Sequence, residues 1–447
     1  MLSISLTGFA GRAYLRLRAH RIAFRQMPAC VIFGAVQQCA PFGYVFHSMP
    51  ITRDFVFGPW RAVPVLGVTQ ILAWGAIFYP PVLTLPLIAA DRGWSITFVM
   101  GGFSLALLAA GVISPLVGRL IDRHGGYRIM PAGSLLAALG LVGLAYAEHK
   151  ATYLAVWLLL GVATAASLYD PAFATLGRIF GGAARAPITA LTLAGGFAST
   201  VSWPTTHVLI DRLGVRGTYL VYALLLALVA APLHAFALPR QRADRDPRPA
   251  SARPTPAPLL PPRGWPFALV AAAFAAHAFV LSGLSAHLLA IFGRSGIDAG
   301  SVVIIGALFG PSQVLARIGE LLFARNVHPL LVARFAVGML LAGFALMVLA
   351  GLSLGVVAAF MVMFGMANGL LTIARGTLPL ALFGASGYGA LIGRIAGPFL
   401  VMQAIAPLVL ALVAEHGSDR SVLTVVAALS FIAFTCFIAL RRPPGAG

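Results

Sequence analysis

Residues 335–350 read FAVGMLLAGFALMVLA, and residues 155–168 read AVWLLLGVATAASL. Neither stretch alternates apolar with polar positions, and neither keeps a polar stripe at helical spacing. A helix that is apolar all round belongs in lipid or in a deep core. The rest of the chain selects lipid. Of 447 residues, 60% are hydrophobic and only 10% charged, whereas an ordinary soluble domain is about 25% charged. So few charges cannot cover a water-exposed surface. Mean hydropathy is +0.93, and apolar blocks near the ~20 residues that cross a hydrocarbon layer recur between short charged clusters. Transmembrane β-strands alternate lumen-polar with lipid-apolar residues, and these blocks do not. The composition therefore indicates an all-α membrane protein.

The pattern predicts twelve spans: 62–90, 97–119, 128–147, 151–177, 187–210, 217–238, 265–292, 300–323, 329–350, 353–382, 387–413 and 421–440. Between the sixth and seventh lies PRQRADRDPRPASARPTPAPLLPPRG, residues 239–264, with six arginines among many prolines. Such a segment cannot build a packed core and reads as a semi-extended linker. The expected organisation is a basic extension over 1–60, a six-helix half over 61–238, the linker, a second half over 265–440 and a tail over 441–447. The extension carries Arg12, Arg16, Arg18, Arg21 and Arg25, and Gln37, Gln38 and Pro41 interrupt its apolar stretch. It reads as a disordered tail or a start codon placed too early, the other reading being attachment to anionic lipid.

The net charge of +19 suits the positive-inside rule better than nucleic acid. With the amino terminus inside, 18 arginines from residue 118 onward fall on cytoplasmic loops or helix ends. The opposite side holds six basic residues, Arg92, Lys150, Arg212, Arg216, Arg294 and Arg420. This bias places both termini in the cytoplasm of a bacterial inner membrane. The halves also repeat. Phe180-Gly181, Pro204 and Gly214 recur 203 residues later as Phe383-Gly384, Pro407 and Gly417, and Gly118 recurs as Gly319 after 201. Duplicated halves around a midplane site are a common transporter architecture.

The loop after the second span reads GRLIDRHGGYR over 118–128. It resembles the signature loop of the major facilitator superfamily, G-x-L-x-D-R-x-G-R/K-R/K, with Gly118, Asp122, Arg123 and Gly125 at the family spacing and the basic end displaced to Arg128. The resemblance covers roughly 62–440. It implies the twelve-helix fold of that superfamily and a gating role for the loop, in which Asp122 contacts the second half and closes the cytoplasmic side. Physically, Gly118 permits close helix approach, and Asp122 can accept from a helix N-terminus or pair with a cation. Arg178, ending the fourth span, is its natural ionic partner. The second copy is degenerate, Phe323 standing where the acid would be.

Ionisable groups inside spans are functional candidates by default. Asp170 lies in the fourth, before Pro171, which leaves the carbonyl of Ser167 without its usual donor. Desolvation penalises the charge of an acid at that depth, which suits a group that takes up and releases a proton. The competing reading is a carboxylate held by Arg178 or Arg375. Arg317, in the eighth span, cannot discharge and requires an anion. Ala316-Arg317 before Gly319, with Gly93-Trp94-Ser95 after the first span, is similar to elements of the monocarboxylate and oxalate–formate branch, in which that arginine holds a carboxylate. The competing reading is a gate residue beside Glu320 and Arg325. Gln70, Tyr79, Asn368 and Gln403 are candidate substrate contacts, against a purely interhelical role. Arg375, Arg394, His277 and His287 read first as structural. Pro80, Pro81, Pro115, Pro204 and Pro407 are candidate bending points.

No nucleotide-binding loop G-x-x-x-x-G-K-[ST] occurs, and Cys30, Cys39 and Cys436 have no metal or disulfide spacing. No cofactor, metal, enzymatic activity or nucleic-acid partner is therefore expected. The sequence points to a monomeric secondary transporter of a small solute, a carboxylate if the resemblance at Arg317 holds, coupled to protons through Asp170. Efflux of drugs or inorganic toxicants is the alternative, and a membrane sensor a more distant one.

Overall fold

The computed structural model describes residues 58–240 and 264–441. The amino-terminal extension, the body of the linker and the tail lie outside the described residues. Within them the chain runs as eleven apolar helical stretches, each long enough to cross a membrane. In order these include α1 (Pro59–Arg92), α2 (Ile96–His124), α3 (Gly126–Tyr146) and α4 (Lys150–Ala183). A stretch of 53 residues, Arg185–Ala237, follows. At 1.5 Å per residue it would extend about 80 Å, more than twice the hydrocarbon thickness. It turns at Gly214, whose φ of 67° and ψ of 177° leave the helical region. Dividing there into α5 (185–213) and α6 (215–237) is compatible with twelve crossings. The second half comprises α7 (Trp265–Arg294), α8 (Gly300–Ala324), α9 (Pro329–Ala350), α10 (Leu354–Phe383), α11 (Tyr388–His416) and α12 (Asp419–Ala439).

The repeat noticed in sequence has a structural counterpart. Helical geometry stops at Phe180 and at Phe383, and the following Gly181 and Gly384 take positive φ, 57° and 81°. Glycine adopts that region without a Cβ penalty, so the same dipeptide ends equivalent helices in both halves.

The apolar cores reveal how the halves meet. At the face where Arg240 precedes and Gly264 follows the linker, here the linker face, one core draws on both halves. It joins Leu66, Phe173, Leu176 and Leu191 to Phe274, Leu378, Leu391 and Ile395. At the opposite face the cores are separate: one holds Leu85, Leu141, Trp157 and Leu226, the other Leu284, Phe344, Phe360 and Leu410. A fourth core joins Leu107, Ala110 and Val117 of the second span to Ala396, Leu400 and Ala404 of the eleventh, so the halves meet at the linker face and along this seam while their cores part at the other face.

Helix α2 packs along α11 through a glycine seam. Gly389, Gly393 and Gly397 recur at intervals of four, facing Gly118, Ser114 and Gly111. A Cβ on Gly118 would overlap the carbonyl of Gly389, and one on Gly393 the carbonyl of Ser114. Small residues at this spacing let backbones approach closely in lipid.

Several spans are interrupted at depth. α1 breaks at Tyr79–Pro80, α4 at Leu168 (φ −86°, ψ −153°) and α5 at Gly196–Phe197. Pro80 and Pro81 therefore coincide with a break, whereas Pro115, Pro204 and Pro407 sit inside continuous helix. Side chains from neighbouring helices explain the tolerance. The carbonyl of Ser167, freed by Pro171, accepts from Gln70 Nε2 at 2.7 Å. The carbonyl of Gln403, freed by Pro407, accepts from Ser282 Oγ at 2.7 Å. His287 Nε2 lies 3.0 Å from the carbonyl of Pro407 itself.

Candidate functional site

Irregular backbone at membrane depth persists where it is buried in protein or lines a cavity. The breaks in α1, α4 and α5 bring Tyr79, Asp170 and the pair Gly195-Gly196 toward one level of the bundle, where α8 and α10 deliver Arg317 and Arg375. Arg317 lies seven residues from the linker-face end of α8, Arg375 eight residues from that of α10, depths of roughly 10–12 Å.

Arg317 is 3% exposed. Its Nη1 donates across the halves to the carbonyl of Thr192 at 2.7 Å, and its Nη2 to Gln313 Oε1 at 3.3 Å. Its Nε is buried without a hydrogen-bond partner. Among the described residues no acid pairs with it. Room for the guanidinium comes from Gly196, where a Cβ would overlap Nη1, while a Cβ on Gly195 would overlap the Tyr169 hydroxyl.

From Gln313 the polar chain continues through the second half. Asn368 Nδ2 donates to Gln313 Oε1 at 2.8 Å, and Asn368 Oδ1 lies 3.3 Å from His277 Nε2. Asn368 thus reaches Arg317 through Gln313. Gln70 does not. It is fully buried, and its amide is spent on Ser167 and on accepting from Trp74 Nε1 at 3.1 Å. Tyr79 is part-buried in an aromatic group with Trp74, Phe78 and Trp203, and Trp74 in turn meets Tyr169, which stacks on Phe173. Gln403 is buried in α11, its carbonyl engaged by Ser282.

Asp170 pairs with Arg375 across the halves, Oδ1 to Nη2, at 3.3 Å. Of the two arginines weighed from sequence, Arg375 is therefore the partner. Its other terminal nitrogen, Nη1, has no hydrogen-bond partner, and its guanidinium carbon stands 4.1 Å from the centre of the Phe399 ring. The Tyr169 hydroxyl lies in the field of both Arg317 and Arg375.

The signature loop occupies the linker face. The Asp122 carboxylate accepts from the main-chain N–H of Gly389 (2.8 Å) and of Ala390 (2.7 Å), the first turn of α11. An anion at a helix N-terminus satisfies orphan donors and the helix dipole together. Arg178 differs from expectation: it donates to the main-chain oxygen of Asp122, not to the carboxylate. The two N–H groups engage one carboxylate oxygen each from the other half. Gly125, with φ of 84°, ends α2. Around it, Arg123, Tyr127, Arg128, Arg178 and Arg240 line a small polar cavity of about 90 Å³. A further cross-half pair, Arg185 to Glu320 at 2.9 Å, closes the same face, with Thr189 Oγ1 also donating to Glu320 at 3.3 Å.

Sequence reasoning missed Gln313, Thr192, Tyr169 and the Gly195-Gly196 pair. The adjacent glycines inside an apolar span were the one readable signal. Gln313 and Thr192 gave none, because their importance lies in what the other half places beside them.

Comparison with known proteins agrees with this architecture. The model of the Major Facilitator Superfamily matches residues 65–350. The chain belongs to the major facilitator superfamily. Among solved structures, the human organic anion transporter MFSD10 (TETRAN) superposes with a TM-score of 0.64 at 17% identity, covering 87% of this chain and 100% of that one. The major facilitator transporter FucP, in an outward conformation, gives 0.63 at 12% identity, covering 84% and 97%. At those identities the likeness is one of fold. A search of curated proteins finds no match. As a major facilitator protein the chain is a multi-pass membrane protein of solute transport, and Arg317, Asp170 and Arg375 lie where its two halves meet.

Proposed function

We propose that this protein is a secondary transporter that moves a small organic carboxylate across a bacterial inner membrane by alternating access, with proton movement through Asp170. One observation carries the proposal. Arg317 is buried at the junction of the halves with no acid beside it and one N–H unpartnered. Burying a cation without an anion is costly, and guanidinium offers a planar fork that fits a carboxylate. The aromatic group of Trp74, Phe78 and Tyr79 on the amino-terminal half favours an organic body over an inorganic ion. The likeness in fold to an organic anion transporter is in keeping with this. Its bond to Thr192 also makes Arg317 part of the closed linker face, so solute binding and opening act on one side chain.

Arginine bias puts that face, and both termini, in the cytoplasm. The halves then part toward the outside, and the Asp122, Arg185 and Arg317 contacts hold the cytoplasmic side shut. The test is flux into proteoliposomes under an imposed pH gradient, with carboxylates and cationic drugs as solutes. Carboxylate accumulation lost in Arg317→Gln is expected. Movement of cationic drugs alone, or normal carboxylate flux in Arg317→Gln, would overturn the anion site. Full gradient-driven accumulation in Asp170→Asn would remove Asp170 from coupling.

A further inference from the structure

We propose that Arg375 is a second anion-binding arm of the site, that Asp170 occupies it in place of a solute carboxylate while the site is empty, and that the site is matched to a dicarboxylate. This rests on Arg317 as the first carboxylate ligand.

The charges at this level do not balance. Arg317 and Arg375 bring two guanidinium groups against the one carboxylate of Asp170, and Arg317 Nε and Arg375 Nη1 are both buried without partners. The pair itself is made in an exchangeable way. Asp170 meets Arg375 through one nitrogen at 3.3 Å. Arg294 and Asp419 instead use both forks, at 3.0 and 2.6 Å, the geometry that gives such pairs their strength and specificity. Glu320, the other acid paired with an arginine across the halves, has a side chain only 2% exposed and receives both Arg185 and Thr189. The Asp170 side chain keeps 14% exposure, although it sits deep in the bundle and faces the other half. The Asp170–Arg375 contact is therefore the one that a solute carboxylate would exchange.

With one solute carboxylate on Arg317 and the other on Arg375, both unpartnered nitrogens gain acceptors. The displaced Asp170 then lies beside Tyr388 of α11 and Tyr169 of its own helix, with its former partner neutralised by the solute. His277 of α7 lies in the field of Arg375 on its far side. No other cation faces Asp170 among the described residues. An uncompensated buried carboxylate neutralises by taking a proton, so solute and proton load together. Because the Asp170–Arg375 contact bridges the halves, its exchange also loosens the linker face.

The experiment measures equilibrium binding of lactate, malonate, succinate and glutarate to the full-length protein in detergent, with uptake in proteoliposomes. The best dicarboxylate is expected to bind wild type at least about tenfold tighter than lactate, the worth of one further charged hydrogen bond. Arg375→Gln should lose that tenfold and leave lactate within about twofold. Asp170→Asn, by removing the competitor, should bind the dicarboxylate several-fold tighter while uptake falls. If Arg375→Gln does not fold, Arg375→Lys, which keeps the cation but not the fork, and Asp170→Asn decide. Equal weakening of lactate and dicarboxylate in Arg375 variants, or weaker dicarboxylate binding in Asp170→Asn, overturns the second arm and leaves Arg317 standing. Lactate binding without preference for any dicarboxylate does the same. If wild type binds none of the four, the carboxylate reading itself falls.

Discussion

The carboxylate of Asp122 accepts the main-chain N–H of Gly389 at 2.8 Å, a bond between residues 267 positions apart in the chain. It joins the signature loop of one half to the first turn of α11 in the other, at the end of the glycine seam. Its geometry depends on glycine twice over: a Cβ on Gly389 would lie 2.6 Å from Asp122 Oδ1, and one on Gly118 would strike the Gly389 carbonyl.

Asp122→Asn removes the charge and one of the two acceptors facing α11. Hydrogen bonds to a charged group contribute about 1.5–3 kcal/mol, so the closed linker face should lose roughly tenfold or more in population. Spin labels at positions 208 and 412, in a background without cysteine, read the separation of the halves at the face opposite the linker. An unchanged distance distribution would show that Asp122 does not hold the closed form.

Gly118 and Gly319 occupy repeated positions in sequence but differ in surroundings. Nothing lies within 4 Å of a Cβ on Gly319. Gly118→Ala should cost about 1–3 kcal/mol through overpacking and lower the melting temperature in detergent, while Gly319→Ala should be nearly neutral. Equal effects of the two would contradict the packed seam.

Gln70→Ala leaves the Ser167 carbonyl and the Trp74 indole N–H unsatisfied in a buried position. Each such group costs about 1–3 kcal/mol. Thermal stability should fall, and amide exchange should quicken at Tyr169, Asp170 and Ala172. Retained stability with lost uptake would instead assign Gln70 to the solute.

Gly196→Ala places a methyl group against Arg317 Nη1, the far end of a flexible side chain, so the fold should survive and the site should not. Half-saturating carboxylate concentration should rise about tenfold or more, as for loss of one charged hydrogen bond. Gly182→Ala, with nothing within 4 Å, serves as the control. Unchanged transport in Gly196→Ala would mean that Arg317 does not work from the position seen here.

Much of the fold was legible in sequence because lipid leaves few choices. A helix in hydrocarbon must satisfy its own backbone, so apolar block length locates spans directly. Phe180-Gly181 and Phe383-Gly384 could be matched because a helix stop is a local event. Pro171 identified a freed carbonyl at Ser167 for the same reason, but its donor, Gln70, lies 97 residues away and looked in sequence like a cavity residue. The Gly118–Arg128 loop identified its family and pointed Asp122 toward the second half, yet not which helix it meets or the turn of Arg178 toward a main-chain oxygen.

Sequence alone thus determined the medium, the span pattern, the duplication and the few buried charges, since each follows from local composition and the cost of burying polar groups. Tertiary structure alone decided which charges meet. Asp170 could have paired with Arg178 or with Arg375, and only the packing of α4 against the second half brings Arg375 to it while leaving Arg317 without an acid. Pairing across two halves is set by helix packing between distant segments, and no spacing along the chain records it.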